Sequence, residues 1–141
     1  MIVRILLSIL ICGFSTAYAQ DNSGAKKRDF IKILDISASA PVIDGVKNEF
    51  TVQIQYTLDT ADEAMAAIGF NSDDPGSYRM TGKKKITRGT NTVTLKARVV
   101  PKDWKERGDF IVYVNISPYP APTTSPFKPL ANVDKVIEFE P

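Results

Sequence analysis

Tyr78, Trp104, Tyr119 and Phe127 are the side chains through which this chain could do recognition chemistry. Each offers a flat apolar face, and the tyrosines and the tryptophan add a polar atom at the rim. Tyr119 and Phe127 fall in a segment that holds five of the nine prolines, between Pro118 and Pro129. Proline withholds a backbone donor and stiffens the chain, so an extended, irregular connection is predicted there. Long connections of this kind are often functional, and a stiff one meets a sugar ring or a partner's surface at little entropic cost. The alternative is that Phe127 and Leu130 tuck back onto the core. Trp104, in Pro101-Lys102-Asp103-Trp104, is expected to seal the end of the core, with ligand stacking as the alternative.

Catalysis finds less support. The chain has no histidine, and its one cysteine is Cys12, which excludes Ser-His-Asp and Cys-His arrangements. Paired carboxylates of the glycosidase kind remain open among Asp73, Asp74, Asp103, Glu106 and Asp109, but no spacing singles out a pair. No catalytic residue is assigned, and the chain is not expected to be an enzyme. Asn71-Ser72-Asp73-Asp74 offers oxygen ligands without the spacing of a calcium loop, so a plain turn is expected. No metal and no cofactor is expected. The sequon Asn115-Ile116-Ser117 falls on a predicted strand.

Residues 1–19 carry the pattern of a secretion signal: Arg4, an apolar run from Ile5 to Phe14, then Ala17-Tyr18-Ala19. The run is about half the ~20 residues that a membrane-spanning helix needs, so stable membrane insertion is not expected. Ile11 before Cys12 is too bulky for a lipidation site. The expectation is a secreted or periplasmic protein whose chain beyond Ala19 has no cysteine and relies on its core alone. That part carries 17 basic and 16 acidic residues, a net charge of +1. Such balance lacks the basic footprint of a nucleic-acid binder. Lys26-Lys27-Arg28 and Lys83-Lys84-Lys85 with Arg88 are expected to be solvated.

The elements that must hold these side chains are strands. Phe50, Val52, Ile54, Tyr56 and Leu58 alternate without fault against polar residues, as do Val93, Leu95, Ala97 and Val99. Phe110, Val112, Val114 and Ile116 repeat the pattern. Residues 30–36 form a further strand whose parity slips at Ile33-Leu34, which predicts a bulge. Residues 64–70, apolar on both faces, are expected to be an interior strand, although residues 60–67 could also be helical. Residues 78–80 and 84–86 are expected to pair as a small edge hairpin around Thr81-Gly82. Residues 133–139 close the chain with Ile137 and Phe139 inward. Asp44-Gly45, Asp74-Pro75-Gly76 and Gly89-Thr90-Asn91 supply turns.

The expected domain order is a signal over residues 1–19, a flexible segment over 20–29 and one domain over 30–141. About seven short strands at this spacing predict an all-β, two-sheet antiparallel sandwich. Their order resembles the immunoglobulin-like and fibronectin type III-like modules of secreted bacterial proteins. The chain departs from the first in lacking paired cysteines and in the place of Trp104, and from the second in having Phe110 where a corner tyrosine often stands. The resemblance implies an immunoglobulin-like β-sandwich and transfers no functional residue.

Three functions follow as expectations. The first is a non-catalytic binding or accessory module for an extracellular or cell-envelope protein, acting through the proline-rich loop or by strand addition. The second is a carbohydrate-binding module, in which Tyr78, Tyr119, Phe127 and Trp104 would form a coplanar platform for a glycan. The last is a carboxylate-dependent hydrolase.

Overall fold

The computed structural model describes residues 28–123 and 128–141. The expected signal with Cys12, most of the segment 20–29 and Phe127 lie outside the described residues. Five strands follow in order: β1 Phe30–Ala38, β2 Asn48–Asp74, β3 Ser77–Val99, β4 Ile111–Pro118 and β5 Ala131–Val136. All their pairings are antiparallel. Among the described residues, the one helical turn is 3-10, Lys105–Arg107, and no helix is long and apolar enough to cross a membrane.

The expectation of about seven separate strands is corrected to five, because three predicted breaks, one in β2 and two in β3, lie within continuous strands. The polar stretch between Leu58 and Ala64 is a corner of β2. Between the pairs Leu58–Gly89 and Glu63–Thr87, β2 places four residues, 59–62, opposite Arg88 alone. Backbone donors that lose ladder partners in such a bulge need others. Asp29 takes the N–H groups of Asp59 and Thr60 at 2.8 and 3.1 Å, and the Arg88 guanidinium grips the Asp62 carboxylate and the Asp59 carbonyl. Gly89, at φ +114°, supplies on β3 a backbone conformation that other residues adopt with strain. Gly89-Thr90-Asn91 is therefore strand, not a turn, and residues 60–67 are strand, not helix.

The corner curls one sheet until its two halves face each other. The first half holds β1 with the start of β2 and the end of β3, and the second holds the remainder of that long hairpin with β4 and β5. Thr81-Gly82 is not a hairpin turn: Gly82 pairs with Ile68 and Met80 with Gly69, which leaves Thr81 as a bulge. A Cβ on Gly82 would stand 2.5 Å from the Lys96 carbonyl oxygen, so glycine is what lets the two arms of β3 come this close. The slip at Ile33-Leu34 is a bulge as predicted, with Leu34 unpaired.

The alternation read from sequence fills the space between the halves. Phe50 from the first half meets Phe70 and Phe110 from the second, with ring centroids 5.1 and 6.2 Å apart, and Phe139 closes on Phe110 at 5.8 Å. Val52, Ile54, Leu58, Ile68, Val112, Val114 and Ile116 are wholly buried around them. Each such side chain contributes about 1.5–3 kcal/mol. Asp74-Pro75-Gly76 turns the chain into β3, with the Gly76 N–H on Asp74 Oδ1 at 2.7 Å.

Candidate binding face

The second half buries Ala64, Ala66, Ile68 and Phe70 against the core, so the alternate positions of β2 must face outward. Those positions are Met65, Ala67 and Gly69. Register fixes what stands beside them: Lys85 and Ser117 flank Met65, Lys83 and Asn115 flank Ala67, and Met80 and Tyr113 flank Gly69. Small residues in the middle strand between long ones on its neighbours leave a furrow. Its volume is about 320 Å³, with Met65 and Ala67 of the middle strand along the floor, Met80 and Lys83 on one bank, and Asn115, Ser117 and Tyr119 on the other. Met80 lies directly over Gly69, where no Cβ would fit.

Register sets Tyr113 beside Gly69 on this face, and Tyr119 lines the furrow itself. Tyr78 stacks on Tyr113 with centroids 4.9 Å apart and planes at 26°. Burial, together with Tyr78 and Asp134 nearby, raises the Tyr113 phenol above its ordinary pKa. Tyr113 and Ser117 are separated by roughly 13 Å of strand, and Tyr119 lies beyond. Tyr119 is 43% exposed, and the Lys85 ammonium sits 5.0 Å from its ring centre. A 2.9 Å contact ties Lys85 to Glu63, whose hydrogen bond holds the ammonium pKa above its usual value.

Trp104 takes no part in this surface. It is 8% exposed, its indole N–H donates to the Asn71 carbonyl at 2.8 Å, and the Arg107 guanidinium lies 5.2 Å from its ring centre. These contacts cover the ring, which offers no face to the furrow. Of the four rings named from sequence, Tyr78 and Tyr119 share the furrow's face, Trp104 lies in the core's end, and Phe127 lies outside the described residues. The two that share a face are not coplanar neighbours, because one is stacked on Tyr113 and the other stands on the far bank under Lys85.

Asn71-Ser72-Asp73-Asp74 begins inside β2, not in a turn. The Asn71 carboxamide is fully buried and consumed by backbone: it donates to the Pro75 and Asp109 carbonyls at 3.2 and 2.8 Å and accepts from the Ile111 N–H at 2.8 Å. Among the described residues no three acids are grouped to hold a metal. Of the acids named from sequence, Asp73 lies 4.0 Å from Arg79, Asp74 accepts the Gly76 N–H, and Asp103 binds the Lys105 ammonium and backbone N–H. Asn115 of the sequon is 9% exposed within β4.

Sequence reasoning missed Met65, Ala67, Gly69 and Met80 as a surface. The signal was present, because a strand apolar on both faces keeps one apolar set for something other than the core. Comparison with known protein families, curated proteins and solved structures finds no match to this chain.

Proposed function

We propose that this protein is a non-catalytic binding module, secreted or periplasmic, that holds an extended segment of an extracellular or cell-envelope protein in the furrow of the second half-sheet. The observation that carries the reading is the furrow itself: an apolar channel floored by Ala67 and Met65, with Met80 and an exposed tyrosine on its banks. Methionine suits such a role because its flexible thioether adapts to irregular surfaces, and apolar surface left uncovered on a soluble domain marks interaction sites. The Asn115 carboxamide and the Lys83 ammonium supply the few polar groups that would orient a bound backbone. Secretion rests on the pattern of residues 1–19. We also propose that the facing halves are a variant of the immunoglobulin-like sandwich in which strand corners replace two of the hairpins.

Panning a displayed library of random peptides against the protein tests this reading. Enriched peptides should bind the unsubstituted chain and weaken about ten-fold with Tyr119→Ala or Met80→Ser, as expected for anchors in a small interface. Peptides indifferent to both substitutions would overturn the furrow as the site. A glycan array that lights up and goes dark on Tyr78→Ala or Tyr119→Ala would replace the protein partner with a carbohydrate.

A further inference from the structure

We infer that a second binding site lies at the mouth of the curled sheet and takes an oxyanion carried on an apolar body. Because β2 and β3 bend together, the two ends of their long hairpin return to the same place. Lys47 stands just before β2, Arg98 and Val99 end β3, Phe70, Ser72 and the one lining acid, Asp73, come from the end of β2, and Arg79 and Thr81 open β3. They enclose a cleft of about 380 Å³ between the two half-sheets. This volume lies within the range of small-molecule sites. It is separate from the furrow, which runs over the outer face of the second half.

The lining has two kinds of surface. Phe70 is at the base, and Val99 and Val100 form an apolar wall, with Val100 45% exposed. Lys47, Arg79 and Arg98 bring three cations to the rim. Their acidic neighbours are few: Arg98 holds Glu49 at 2.9 Å, Arg79 has only the loose 4.0 Å approach of Asp73, and no acid lies within ion-pair distance of Lys47 among the described residues. The planar donor fork of Arg79 is thus nearly uncommitted, and such a fork matches the paired oxygens of carboxylate or phosphate.

Ser72 adds an independent pointer. Its Oγ is the one buried side-chain polar atom without a hydrogen-bond partner among the described residues, and Ser72 lines this cleft. Buried hydroxyls are almost always paired, so an orphan in a residue that lines this cleft points to a ligand oxygen there. Glu49 bounds the site: beyond it a furrow of Ser39, Asn48 and the shared Lys47 and Arg98 carries that carboxylate, which limits how far negative charge can extend.

The test is a titration of ¹⁵N-labelled protein at fixed ionic strength with phenyl phosphate, benzoate and benzyl alcohol, three probes that share an apolar ring. Saturable shifts of the Ser72, Thr81, Val99 and Val100 amides with one or both anions, and about ten-fold weaker binding of the alcohol, are expected. Response to phenyl phosphate alone identifies a phosphate site, to benzoate alone a carboxylate site. Arg79→Gln should weaken the anions about five-fold, the equivalent of one exposed charge contact. This exposed position leaves the fold intact, and Lys102→Gln, outside the cleft, should change nothing. Equal binding of benzyl alcohol, shifts confined to Lys83, Lys84 and Lys85, or no saturable shift with either anion would overturn the proposal. None of these results depends on whether the outer furrow binds a peptide.

Discussion

Trp104 and Tyr119 each stand in a proline-flanked connection that leaves a strand, and the two connections have opposite fates. The Trp104 loop folds across the end of the second half-sheet, where the Asn71 carbonyl accepts the indole N–H and the Asn71 carboxamide ties down Pro75, Asp109 and Ile111. Tyr119 has no such anchor in the described residues. Its ring lies on the surface under Lys85, and its exposure is five times that of Trp104. An aromatic in a loop becomes structural when a buried acceptor meets its polar atom at the edge of a core; otherwise its face is left for a partner.

Removing Trp104 is the strongest way to break this contrast. Trp104→Ala should destabilise the fold by about 3–5 kcal/mol, measured by urea unfolding, because a large buried ring leaves a cavity and the Asn71 carbonyl loses its donor. A loss below about 1 kcal/mol would mean that the loop is as dispensable as the one bearing Tyr119. Asn71→Ala should cost about 2–3 kcal/mol, since three backbone groups lose a buried partner at once. Comparing the two values separates what the ring contributes from what the carboxamide contributes.

On the other side of the contrast, Tyr119→Ala should change stability by less than about 0.5 kcal/mol while weakening whatever occupies the furrow. A large stability loss would make Tyr119 a structural residue like Trp104.

The smallest effect concerns pH. The hydrogen bond from the Lys105 ammonium, helped by the Lys105 backbone N–H, holds the Asp103 carboxyl below the ordinary carboxylate pKa. A carboxyl with a lowered native pKa binds fewer protons in the native state than in the unfolded one. Its stabilisation is therefore present above about pH 4 and is lost as pH falls through the native value. Trp104 fluorescence should report loosening of its loop in that acid window, and Asp103→Asn should flatten the response. Tyr119, with no link to Asp103, should give no such signal.

The course of β1 shows how much could be read in advance. Two apolar neighbours at Ile33-Leu34 break a strict period of two, and the only way to keep both flanking stretches inward is to leave one residue out of register, which Leu34 is. The stretch from Asp59 to Glu63 misled for an equally physical reason. Its polar residues match a turn in composition, yet their backbone donors are met by Asp29 and their bend is braced by Arg88, residues about thirty positions away on either side. Composition records that a segment is solvated; it does not record which distant side chain takes its hydrogen bonds.

Alternation in this chain determined which residues are buried and that they are carried on strands, because a pleated backbone turns every second side chain to the same side. The tertiary structure decided how many strands there are, which outward residues share a furrow, and that Lys47, Arg79 and Arg98 meet around Ser72. Those outcomes depend on where a long hairpin bends and which of its ends return together, and a curl of that kind is set by pairings between residues far apart in the chain.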